Sequence, residues 1–191
     1  MDTPARQGQN TGAFGKWLTA YLKDAAAFRD FEVYYDHGDT AVDANVVAVK
    51  GFCGTVVTNL NRLADVDVIV VAPNGNVCLL IEIEERPSSP KKYLGSMLAT
   101  LICDRFAVRI SGSQRYFTVS DKTSLIVAGV VPAAGHRLQK IEAVILPRIR
   151  QLGGLPGAIP PANVDFVFSE TIQSTIEKLR TVIARLFPVV P

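Results

Sequence analysis

Residues 65–85 read DVDVIVVAPNGNVCLLIEIEE. Asn74-Gly75 between two β-branched runs is the strongest short-range signal for a hairpin. With those two residues as the loop, Asp67 is expected opposite Glu82, and Asp65 opposite Glu84. Cross-strand partners share a face of the sheet, as do positions two apart along one strand, so all four carboxylates are expected together at the open end of the hairpin. The other face is Val66, Val68, Val70, Leu79, Ile81 and Ile83. Val68 to Ala72 and Val77 to Ile81 are apolar on both faces, which marks two central, covered strands with acids at the rim of a buried region.

Like charges directly opposite one another destabilise a strand pair, so something must compensate. Either the carboxyl pKa values rise or a cation sits among them, and oxygen-only ligands suit Mg2+ or Mn2+. The competing reading is a hairpin with a wet face on which Glu82 and Glu84 are simply solvated. A register slip of one residue would send Asp67 and Glu82 to opposite faces.

Working outward, residues 1–12 are polar, with Pro4, Gly8 and Gly12, and are expected to be a lead-in to a single domain over 13–191. Phe14, Trp17, Leu18, Tyr21 and Leu22 recur at helical spacing, which predicts a helix from about Ala13 to Arg29, with Trp17 on its core face. Strands are expected at Phe31 to Tyr35, at Asn45 to Val49 and at Gly54 to Val57, the glycines of GFCGT (Gly51, Gly54) serving as strand punctuation. Ser89-Pro90 opens a helix, serine as N-cap and proline at the first helical position, with a stripe of Leu94, Met97, Leu98, Leu101 and Ile102. Further strands are expected at Arg115 to Ser120, Leu125 to Val131 and Val164 to Phe168. A helix from His136 to Leu146 is expected to end at Pro147. A last helix carries Ile172, Ile176, Leu179, Ile183 and Leu186 and is expected to pack on the core. The fold class is α/β, a mixed central sheet with helices on both faces.

The chain has 191 residues, 48% hydrophobic and 20% charged, with mean hydropathy +0.22, which fits one packed domain and excludes a disordered or collagenous chain. Twenty Lys and Arg against eighteen Asp and Glu leave a net charge of +2, so any anionic partner must be met by a local patch. Cys53, Cys78 and Cys103 form no metal or disulfide pattern and read as core residues of a reducing compartment. The start carries no signal-peptide pattern, and Ser124 to Pro132 is about half of the roughly 20 apolar residues a membrane span needs, so a cytoplasmic protein is expected.

An acid opening a strand (Asp67), then an acid-x-charged tripeptide closing the next strand (Glu82-Ile83-Glu84), then a helix, resembles the PD-(D/E)XK nuclease superfamily, the fold of many restriction endonucleases. The resemblance runs from Ala13 to about Val131 as an αβββαβ core. It implies that Asp67 and Glu82 are metal ligands for Mg2+ or Mn2+, that Glu84 and the carbonyl of Ile83 position water or metal, and that the reaction is hydrolysis of DNA phosphodiester bonds. Glu84 stands where the family usually has lysine, and Val66 where it usually has proline. Lys91 or Lys92, in the first turn of the following helix, can supply the cation, with Lys92 neutralising charge on the phosphate. The helix-one acid that often completes the family's site is either Asp24 or Glu32. A double-strand cut by so small a chain favours a homodimer.

Arg105, Arg109 and Arg115, and again His136, Arg137, Lys140, Arg148 and Arg150, cluster in sequence and are candidates for phosphate contact. His37 and His136 are single histidines without ligand spacing. Two other readings stand beside the nuclease: a nuclease-like fold without cleavage that binds nucleic acid or a protein partner, and an acidic hairpin with no site on an unrelated α/β enzyme.

Overall fold

The computed structural model describes residues 8–131, 141–154 and 157–188. Among them it is a mixed α/β fold of nine strands in two sheets, with four α-helices. The strands are β1 (Glu32–Tyr35), β2 (Val49–Phe52), β3 (Arg62–Val66), β4 (Val68–Val71), β5 (Val77–Glu84), β6 (Arg105–Ile110), β7 (Ser113–Thr118), β8 (Ser124–Val130) and β9 (Val164–Ser169). The helices are α1 (Gln9–Asp24), α2 (Pro90–Leu101), α3 (Leu146–Arg150) and α4 (Ile172–Leu186).

The central sheet has the order β1-β4-β5-β8-β9, with β4 and β5 covered on both sides. The expected register holds, Val68 pairing with Ile81 and Val70 with Leu79, before a one-residue shift between Val70 and Val71. Strand β8 then runs parallel to β5, and β9 parallel to β8. One face packs Val68, Val70, Leu79 and Ile81 against Phe14, Leu18 and Leu22 of α1 and Leu179 and Ile183 of α4. The last helix is therefore a core element, as its apolar stripe predicts. The other face packs Ile69, Val71 and Leu80 against Tyr93, Met97 and Leu101 of α2 and against the inner face of the second sheet.

That second sheet, β3-β2-β6-β7, is antiparallel throughout. It overturns the expectation of one strand from Asp65 to Ala72. The chain changes sheets at Asp67, so Asp65 pairs with Lys50 on β2, and not with Glu84. No glycine or proline marks the change, because an apolar run suits either sheet.

Other boundaries moved. Helix α1 begins at Gln9 with Thr11 buried, and it stops at Asp24, followed by a 3-10 turn at Ala26–Phe28. Residues 54–57 form no strand, and β2 starts only at Val49. Arg105–Ile110 is a strand that its charges had disguised as a surface patch. Pro147 does not end the helix: a π-helical turn at Ile141–Ile145 runs into α3, which carries the proline and continues to Arg150. The earlier part of the helix expected from His136 lies outside the described residues, with His136, Arg137 and Lys140. On α2 the buried stripe is Tyr93, Met97, Thr100 and Leu101, while Leu98 and Ile102 are exposed. Trp17 is half-buried under Arg180, and of the cysteines only Cys103 is fully buried, Cys53 being exposed. No helix among the described residues is long and apolar enough to cross a membrane.

Candidate functional site

Strand β5 ends beside its parallel neighbour, Glu82 level with Val127 and Glu84 with Gly129. Carboxyl ends of parallel strands leave a crevice that the next connection does not fill. A cavity of about 180 Å3 opens there, lined by Asp67, Glu82, Ile83, Glu84, Glu85, Lys92, His37 and Thr11 among others. Three of the four expected carboxylates meet in it. Asp65 does not; its carboxylate is half exposed and bonded to Arg62.

Each acid has a holder. The N–H of Ile83 donates to Asp67 Oδ2 at 2.6 Å, and the Thr100 hydroxyl donates to Glu82 Oε1 at 2.7 Å. Glu84 is ion-paired with Lys92, which enters from the first turn of α2. Lys91, one residue earlier, is exposed and does not line the cavity. Ile83, whose carbonyl was expected at the site, lines the cavity and donates its N–H to Asp67.

Burial raises the Asp67 carboxyl to about 6, opposed by the Ile83 N–H and the nearby His37 and aided by Asp36 and Glu85. Burial raises Glu82 further, to about 8, with the charge of Asp67 adding to it and the Thr100 hydroxyl opposing it. Two neighbouring carboxyls that resist ionisation can take up either protons or a cation.

Both proposed helix-one acids lie elsewhere. Asp24 is at the far end of α1, about 20 Å of helix from Thr11 by the usual rise per residue. Glu32 makes a two-pronged pair with Arg115 at 2.9 and 2.8 Å, which withdraws that arginine from the site as well. What α1 brings is donors: the Thr11 N–H and hydroxyl bond Glu85 Oε1 at 2.7 and 2.9 Å, and Asn10 bonds Oε2 at 3.2 Å. A carboxylate at the N-terminus of a helix is favoured by the helix dipole. Arg150 is paired with Asp165, away from the cavity.

His37 is the residue that sequence reasoning missed. Its Nε2 lies 4.0 Å from Asp67 Oδ1, and its backbone takes the left-handed conformation, φ 76°. Gly8 and Gly12 make room for it: a Cβ at Gly8 would fall 2.3 Å from the imidazole, and one at Gly12 2.4 Å from the His37 carbonyl. The signal was present in the spacing of Gly8, Gly12 and Gly15, which bares one face of α1.

Ile83 uses Asp67 Oδ2 and Thr100 uses Glu82 Oε1, so Asp67 Oδ1 and Glu82 Oε2 are the oxygens left for a cation. Mg2+ is often bound through one or two carboxylates with its remaining positions hydrated, which this donor set fits. Among the described residues no three His, Cys, Asp or Glu already form a metal cage. The chain matches no family model, no curated protein and no solved structure.

Proposed function

We propose that the chain is a divalent-metal-dependent nuclease that hydrolyses DNA phosphodiester bonds on a restriction-endonuclease-like core. The observation that carries this reading is the convergence of Asp67, Glu82, Glu84 and Lys92 on one cavity at the carboxyl ends of a parallel strand pair. The chain order supports it too. With the second sheet set aside, α1, β1, β4, β5, α2 and β8 run as helix, three strands, helix, strand.

A bound Mg2+ or Mn2+ supplies Lewis acidity that strengthens water as a nucleophile and polarises the scissile phosphate. Asp67 and Glu82 hold it, and the Ile83 N–H and Thr100 hydroxyl keep the two carboxylates oriented. Glu84 positions water, and Lys92, standing in for a lysine at position 84, neutralises charge developing on the phosphate. His37, 4.0 Å from Asp67 Oδ1, lines the cavity beside that oxygen.

Cleavage of supercoiled plasmid and of single-stranded DNA in Mg2+ or Mn2+ tests this. Glu82→Ala is expected to lower metal-dependent cutting by about 100- to 1000-fold, the size of losing one charge-stabilising group. Cutting that ignores metal, or that Glu82→Ala leaves intact, overturns the assignment. The Lys92–Glu84 pair favours a second reading, because that ammonium is already neutralised: an inactive nuclease-fold module that binds nucleic acid or a protein partner. That reading expects no cutting and no rise in melting temperature with metal, whereas an occupied site stabilises by mass action.

A further inference from the structure

The carboxylate cavity repels the polyanion assigned to it, so attraction must come from nearby. A second cavity, of about 400 Å3, opens on the outer face of the β3-β2-β6-β7 sheet. It is lined by the cations Lys50, Arg62 and Arg109 and by Thr58, Asn59 and Gln114, and no acid among the described residues lines it. Arg62 is engaged by Asp65, while Lys50 and Arg109 have no ion-pair partner among the described residues.

Register ties this face to the carboxylates. Lys50 pairs with Asp65 on one side and with Ala107 on the other, and Asp65 is two residues before Asp67. Strand geometry therefore puts the Lys50 and Asp67 backbones roughly 8 Å apart. Arg109 is two residues beyond Ala107 on the same face of β6, pairs with Gln114 and lines the same cavity as Lys50. Each strand of a duplex carries a phosphate about every 3.4 Å of axis, so that span covers two to three phosphates. Lysine, arginine, threonine, asparagine and glutamine are the side chains that contact phosphate and fix a duplex in place.

We propose that this outer face binds the sugar–phosphate backbone of DNA and leads it to the carboxylate cavity, with Lys50 and Arg109 on neighbouring phosphates. The choice of DNA rests on the nuclease reading. The face itself reads backbone and not sequence, since Lys50 and Arg109 offer it positive charge with no ion-pair partner among the described residues.

Fluorescence anisotropy of a short labelled duplex of mixed sequence, in EDTA, tests the surface without cleavage. The double variant Lys50→Glu/Arg109→Glu is compared with Arg29→Glu/Arg185→Glu, which makes the same change in net charge at exposed positions beside Phe28 and Phe187, in the layer of α1 and α4. Expected is binding weakened at least tenfold in the first and unchanged in the second, with the salt slope of log K shallower by about 2, near 0.9 per phosphate contact. The milder Lys50→Gln/Arg109→Gln serves if charge reversal impairs folding, and Lys50→Arg/Arg109→Lys is expected to restore binding. Equal loss in both reversals, tight binding by the face variant, or no duplex binding by the native protein overturns the proposal. Face-dependent binding without metal-dependent cutting upholds this surface and rejects the nuclease.

Discussion

The two sheets differ in what covers them, and the chemistry divides accordingly. Strands β4 and β5 are apolar on both faces, so the acids that end them are partly withdrawn from water and their carboxyls rise to about 6 at Asp67 and about 8 at Glu82. Strands β2, β3, β6 and β7 bury one face and only part of the other, where Phe52 and Ala107 are covered while Lys50, Arg62 and Arg109 keep access to water. Asp65 and Asp67 sit two residues apart on either side of this division. One is a half-exposed partner of Arg62 and the other is a member of a partly buried acid pair. Identical side chains thus differ in role through the sheet they join.

The contrast is sharpest in stability. Leu80→Ala, fully buried in the central sheet, is expected to cost about 2–5 kcal/mol in denaturant unfolding, while Tyr116→Ala on the outer sheet, 38% exposed and edge-on to Phe52, is expected to cost about 0.5–1.5 kcal/mol. Equal costs would break the distinction between the sheets.

Gly12→Ala comes next. A Cβ there meets the His37 carbonyl at 2.4 Å, so the change is expected to cost about 1–3 kcal/mol by overpacking and to lower cleavage by moving His37 from Asp67. Unfolding and plasmid assays on the same preparation check both halves. Unchanged cleavage would confine His37 to a structural role.

A pH series in EDTA is a smaller effect with a definite sign. Glu82 titrates near 8 when folded against an ordinary 4.5, and Asp67 near 6 against 3.8, so the native state binds more protons than the unfolded chain between those limits. The contribution of these two carboxyls to the stability of the metal-free protein is therefore fully present below about pH 4 and lost as pH rises toward 8. The melting temperature is expected to fall over that range, and Glu82→Gln to flatten the fall and raise the value near pH 8. A melting temperature that climbs with pH would contradict the raised acid pair. The smallest effect is Thr100→Val, about 1 kcal/mol for the lost hydrogen bond to Glu82, read by unfolding and by weaker stabilisation with Mg2+.

Much of the candidate site was legible in the hairpin, since Asn74-Gly75 sets a register that carries Asp67 toward Glu82. Lys92 was legible as a first-turn residue of a helix whose start Ser89-Pro90 announces. Thr100 was not, because a hydroxyl at a buried helical position breaks the apolar stripe that identifies the buried face. Glu32 and Arg115 illustrate the opposite error. Each reads as a free site residue, yet they lie 83 residues apart in sequence and neutralise one another across the fold.

By itself the sequence determined the α/β class, the central hairpin and its register, because periodicity and turn chemistry act over a few residues. Tertiary structure alone decided that the chain changes sheets at Asp67, that α1 presents donors to Glu85 in place of an acid, and that His37 stands beside Asp67. Those outcomes depend on which surfaces meet at long range, and a glycine stripe or an apolar run permits several such meetings until packing selects one.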